Sequence, residues 1–82
     1  MNSRYDWTVA PPEAAFAVTN AGGGVEWWAH NPWAPEDGTL WADRGYTGKC
    51  EGLIAGGGMG RPSGHPALDA SNWRESREAR PS

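Results

Sequence analysis

Apolar side chains in this chain come in short alternating bursts, not in a stripe at helical spacing. In GVEWWAH, residues 24–30, Val25, Trp27 and Ala29 alternate with Glu26, Trp28 and His30, which is the period of a β-strand. GTLWADR (38–44) and KCEGLIA (49–55) repeat the signal more weakly. NPWAPED, between the first two stretches, has the Asn, Pro and Asp content of a connecting loop. The pattern predicts a small mostly-β or irregular fold, a short meander of about three strands over 24–30, 38–44 and 49–55, with the first two paired as a hairpin. Trp27 and Trp28 then point to opposite faces of the sheet. A small sheet covers one face well, so one of these two indoles is expected against loop, water or another molecule.

Outside the meander the pattern is weaker. YDWTV, near the N-terminus, has the aromatic and β-branched content of a short strand. PPEAAFAVTNAGGG has prolines first, alanines in the middle and glycines after, the asymmetry of a two-turn helix over 13–20. A strand from Ala14 to Thr19 is the competing reading. Residues 57–66 are rich in glycine and proline and without periodicity, as a linker is. Residues 67–82 predict a polar arm or weak helix, with Arg74 and Glu78 at i,i+4 but no apolar stripe joining Leu68 and Trp73. The expected organisation is a Trp-rich folded region over 1–56, a linker over 57–66, and an extended C-terminal arm.

Composition sharpens this picture. Aliphatic and Phe core builders are few: Val9, Phe16, Val18, Val25, Leu40, Leu53, Ile54 and Leu68 in 82 residues, beside twelve glycines and seven prolines. Six tryptophans compensate, because each large aromatic buries about 150–250 Å². The single cysteine, Cys50, excludes an internal disulfide and reads as a small buried apolar residue. MNSRYDWTVAPPEAAFAV contains Asp6, Trp7, two prolines and Glu13 where a secretion signal needs an unbroken apolar run. No stretch is long enough to span a bilayer, so the expected location is cytoplasmic or virion-associated.

Several chemistries fit poorly. LIAGGGMGR puts glycines after a strand, but Pro62 and Pro66 interrupt the helix that a phosphate-binding turn would open, so the linker reading prevails. His30, Cys50 and His65 have metal-ligating atoms at spacings of no compact zinc pattern, and no nucleophile–base pair is set up around Cys50. Glu36 and Asp37 read as turn acids before Gly38. Residues 1–60 carry three basic and seven acidic side chains, which disfavours direct nucleic-acid binding and membrane-surface binding alike. Four of the seven basic residues lie in 61–82.

What remains is binding through aromatic anchors. Tryptophan is enriched in interface hot spots, and irregular chain can wrap a partner that orders it. The sequence therefore predicts a non-enzymatic accessory or structural subunit of a larger assembly, without cofactor or metal. Trp28, Trp33, Trp41 and Trp73 are the expected contacts, with Arg74, Arg77 and Arg80 as secondary charged contacts. A glycan-binding module is the alternative and requires coplanar, exposed Trp faces. A small acidic inhibitor of a host or mobile-element complex is the second alternative and requires acids clustered on one face.

Overall fold

A computed structural model describes residues 3–36, 38–43, 51–57 and 61–81. Cys50, Asp37, the first residues of the 49–55 strand and positions 58–60 of the predicted linker lie outside the described residues. Among the described residues six short strands are formed: β1 (Phe16–Thr19), β2 (Val25–Trp28), β3 (Pro32–Trp33), β4 (Ala42–Asp43), β5 (Leu53–Ala55) and β6 (Glu78–Ala79). Two single-turn 3-10 helices, Trp7–Val9 and Trp73–Glu75, complete the regular structure. Among the described residues no helix is long and apolar enough to cross a membrane.

The fold is small and mostly β, as the alternation predicts, but its pairing differs from a three-strand meander. A four-stranded antiparallel sheet runs in the order β5-β2-β1-β6, and β3 and β4 form a separate two-stranded ribbon. The segment expected as a helix is β1. Its glycine-rich end is the turn of a hairpin to β2, with Ala17 opposite Trp27 and Phe16 opposite Trp28. A two-turn helix is too short to stand alone, and Val18 and Thr19 favour the pleated alternative once β2 is beside them. Asn20 organises the turn: its backbone N–H donates to the Gly24 carbonyl, and its side-chain oxygen accepts the N–H groups of Gly22 and Gly24.

The predicted 24–30/38–44 hairpin does not form. Both edges of β2 are taken, by β1 on one side and β5 on the other, with a register shift between Trp27 and Trp28. The chain bends after Trp28, and Pro32, which has no N–H to donate, enters the ribbon with Asp43 opposite. Asp43 also ties β5 in, its carboxylate accepting the N–H groups of Glu51 at 2.6 Å and Gly52 at 3.0 Å.

Both sheet faces are covered. On one, Ala17, Val25, Trp27 and Ala55 are buried with Tyr5 and Ala14, and Trp7, Ile54 and Leu68 pack around them. On the other, Val18, Trp28 and Trp41 are buried, flanked by Phe16, Leu53, Ala34 and Trp73. Trp27 and Trp28 are each 0% exposed, so neither is left over for water or a partner.

Residues 61–81, expected as linker and arm, instead run across this body. Trp27 Nε1 donates to the Ser63 carbonyl at 2.8 Å, and the Asp6 N–H donates to His65 Nε2 at 2.8 Å. Ser76 is buried where its hydroxyl accepts the Thr19 N–H at 2.7 Å, and its carbonyl accepts the Tyr5 hydroxyl at 2.9 Å. Beyond it β6 pairs with Phe16 and Ala17, and the Arg80 N–H donates to the Ala15 carbonyl. Most of this segment stays exposed, and it is held to the body by the bonds of Ser63, His65, Ser76 and the arginines. The radius of gyration, 11.4 Å, agrees with the value of about 12 Å for a compact chain of this length and leaves no room for an extended arm.

Gly23 is where the returning segment touches the β1–β2 turn: its φ is +90°, and a Cβ there would lie 2.6 Å from the Leu68 carbonyl oxygen. Gly23→Ala is expected to lower stability by about 1–3 kcal/mol in urea unfolding, from the left-handed φ and the clash together. Gly64→Ala shares a positive φ, +76°, but meets open space and should lose less. Equal losses would contradict the docking of Leu68 on the turn.

Candidate partner-binding site

The seven predicted contact residues separate into core, brace and surface. Trp28 is core: its Nε1 donates to the Glu26 carboxylate at 3.0 Å. Trp41 is 3% exposed, donates through Nε1 to the Thr19 carbonyl, and meets the half-buried Trp73 edge-on at 6.0 Å between centroids. Trp33 is half-buried in β3, and its indole Nε1 is buried without a hydrogen-bond partner. An unpaired buried N–H of that kind costs about 1–3 kcal/mol, and the ribbon carries that burden.

The three arginines lie at the surface, but each is engaged within the chain. Arg80 Nη1 donates to the carbonyls of Pro11 at 3.0 Å and Ala14 at 2.9 Å, with its guanidinium 5.6 Å above the Trp7 ring. Arg77 bonds the Asn31 side-chain oxygen at 2.8 Å and lies over Phe16. Arg74 stacks on Trp73, 4.6 Å from the ring centroid. Its two Nη groups donate to the carbonyls of Ala34 at 3.4 Å, Pro35 at 2.6 Å and Glu36 at 3.3 Å, and to that of Gly38.

That last arrangement is the candidate site. The described residues between β3 and β4 form no helix or strand, and four of their carbonyls converge on one guanidinium, the geometry for which a planar five-donor fork is suited. Arg74 is held in turn by Trp73, and Trp73 by Trp41 beneath it. The loop is thereby tied to the C-terminal segment. Leu40, within it, is 66% exposed, the most exposed of the large apolar residues described. Sequence reasoning placed Leu40 in the core. Leu40 lies just before the buried run Trp41, Ala42 and Asp43, outside any strand, and an apolar residue type alone does not place it inside. Val9, also counted as a core builder, is 42% exposed at the end of the first 3-10 turn.

Along the sequence the loop lies in an acidic stretch, and the positive charge packed on it is that of Arg74. No Lys or Arg occurs anywhere from Tyr5 to Asp43, and Glu36 sits exposed in the loop itself. Deeper on the same sheet face Glu26 is 4% exposed, accepting hydrogen bonds from Trp28 Nε1 and from Asn20 Nδ2 at 3.2 Å. Burial raises its carboxyl above the ordinary glutamate value, against the opposing pull of those two donors.

Other chemistry is thin among the described residues. No group of three His, Cys, Asp or Glu side chains there could hold a metal ion. His30 Nδ1 and the Asp43 carboxylate stand 3.8 Å apart, but that carboxylate is already committed to the Glu51 and Gly52 amides. The aromatic rings offer no flat platform: Trp7 and Trp27 are inclined at 57°, Trp41 and Trp73 at 76°. Compared with known proteins, the chain matches no family model, no curated protein and no solved structure.

Glu26 gives a direct test of the buried face. Its raised folded pKa means that the folded state holds a proton more tightly than the unfolded chain. The stabilisation this brings is complete below the unfolded value, about 4.3, and is lost as pH rises through the folded value. The stability of Glu26→Gln relative to the parent chain should therefore climb as pH is raised from about 4 to about 7 in urea unfolding. A difference that is flat or falls over that range would contradict a buried carboxylate at this position.

Proposed function

We propose that this chain is a non-enzymatic protein-interaction subunit, structural or accessory within a larger assembly, that docks through the loop over 34–41. The observation that supports the reading is the Arg74 fork: four loop carbonyls share one guanidinium while Leu40 in the same loop is exposed. A loop ordered before it meets its partner spares the entropy that binding would otherwise cost, and exposed loops on rigid scaffolds are where binding residues concentrate. Leu40 is the anchor, Trp33 and Trp73 frame it, and Arg74 positions it. Trp28 and Trp41 serve the same surface from beneath, as its support. Arg77 and Arg80 act in the fold, fastening the C-terminal segment.

A protein partner fits this surface better than a sugar, because ring stacking needs a bare aromatic face and the guanidinium of Arg74 covers Trp73. A cytoplasmic or virion-associated location accompanies this reading.

The test is position-specific crosslinking in the cells that make the protein. A photoreactive amino acid at Leu40 should yield a discrete protein adduct, and the same group at Thr8, exposed beside the other aromatic cluster, should not. In the uncrosslinked complex Leu40→Asp is expected to weaken binding about 30-fold or more, the scale of a hot-spot residue. Equal labelling from both positions would contradict docking through this loop.

A further inference from the structure

We propose that the partner of this loop is a second copy of the chain, joined across a two-fold axis near the Trp73–Glu75 turn. The inference rests on the reading that the loop over 34–41 docks, and it identifies what the loop docks into. A two-fold interface must be self-complementary: a projection on one copy needs a recess on the other, and both must lie on the same face of the monomer. This molecule has both, bordering the same short segment. On the Arg74 side stands the braced loop with exposed Leu40 and Glu36. On the Ser71 side, sharing that segment, is a depression of about 250 Å³ lined by Arg4, Leu68, Asp69, Ser71 and Asn72. A second hollow, over Ser71–Glu75, shares Ser71 and Asn72 with the first and is lined by Arg74, which bonds the loop.

The lining suits the loop chemically. Leu68 supplies apolar surface, half-buried and fixed by its N–H bond to the Gly23 carbonyl. Arg4 is exposed and makes no hydrogen bond or close ion pair among the described residues. It acts only at a distance on Asp69, whose carboxyl is lowered first by its bonds to Ser71 and only last by Arg4. Asn72 caps the 3-10 turn in position but not in bonding, so its amide is also available. Leu40 of one copy then covers Leu68 of the other, Glu36 faces Arg4, and symmetry makes each contact twice.

Sedimentation equilibrium of the purified full chain from about 10 µM to about 1 mM tests this, spanning the affinities expected of a small interface. A monomer–dimer equilibrium is expected, with Leu40→Asp shifting it at least tenfold toward monomer while circular dichroism stays unchanged. Glu36→Arg and Arg4→Glu should each weaken the dimer several-fold, and the double variant should recover most of the loss. A chain monomeric throughout the range, or a dimer indifferent to Leu40→Asp, would overturn the proposal. If the chain is monomeric and crosslinking from Leu40 captures a different protein, the second copy is excluded and docking through the loop stands. If it is monomeric and crosslinking shows no preference for Leu40, both fall.

Discussion

The fold depends on one constraint: two neighbouring tryptophans on a central strand must face opposite ways, and both must be buried. Each fully buried indole is worth about 4–6 kcal/mol, close to the entire stability of a small domain. Leaving either in water would therefore forfeit the fold. A short sheet has no second layer of its own, so the chain builds two covers from irregular segments. The N-terminal turn with Tyr5 and Trp7, together with 61–68, covers Trp27, and the ribbon with Trp41 and Trp73 covers Trp28. The other tryptophans are thus mostly consequences of the first pair.

Covers made of loops have the opposite difficulty, since irregular backbone leaves carbonyls without ladder partners. The C-terminal segment resolves this with arginine. Three of its four guanidinium groups combine an aromatic ring with an acceptor elsewhere in the chain: Arg74 with Trp73 and the 34–38 carbonyls, Arg77 with Phe16 and Asn31, Arg80 with Trp7 and the 11–14 turn. Lysine could not substitute, because one ammonium cannot both lie flat on a ring and fork to several carbonyls. The same device that closes the core also rigidifies the one loop that presents a bare leucine. In this account stability and binding share a residue, Arg74.

The alternation in GVEWWAH was legible, and with it β2, the opposed indoles and the mostly-β class. Pairing was not, because strands this short carry almost no register information and the partner of β2 is chosen by which neighbour can bury Trp27 and Trp28 together. The 13–20 segment was misread toward helix because proline before and glycine after also describe a hairpin arm with its turn. Arg74, Arg77 and Arg80 were expected as secondary charged contacts to a partner. Composition could not tell whether they reach outward or back to the chain's own carbonyls, since that depends on contacts some forty to seventy residues distant. Leu40 was missed because it was counted by type, and type alone does not place a residue inside.

A core shared between two faces of one sheet should open as a unit. The most direct measurement is hydrogen exchange of the indole N–H groups in the isolated chain by NMR, since Trp27, Trp28 and Trp41 donate to three different acceptors on the two faces. The account predicts that all three exchange slowly and at a common rate set by global unfolding. Exchange of Trp27 or Trp28 at the rate of a free indole would show that one face is uncovered in the lone chain and would contradict it.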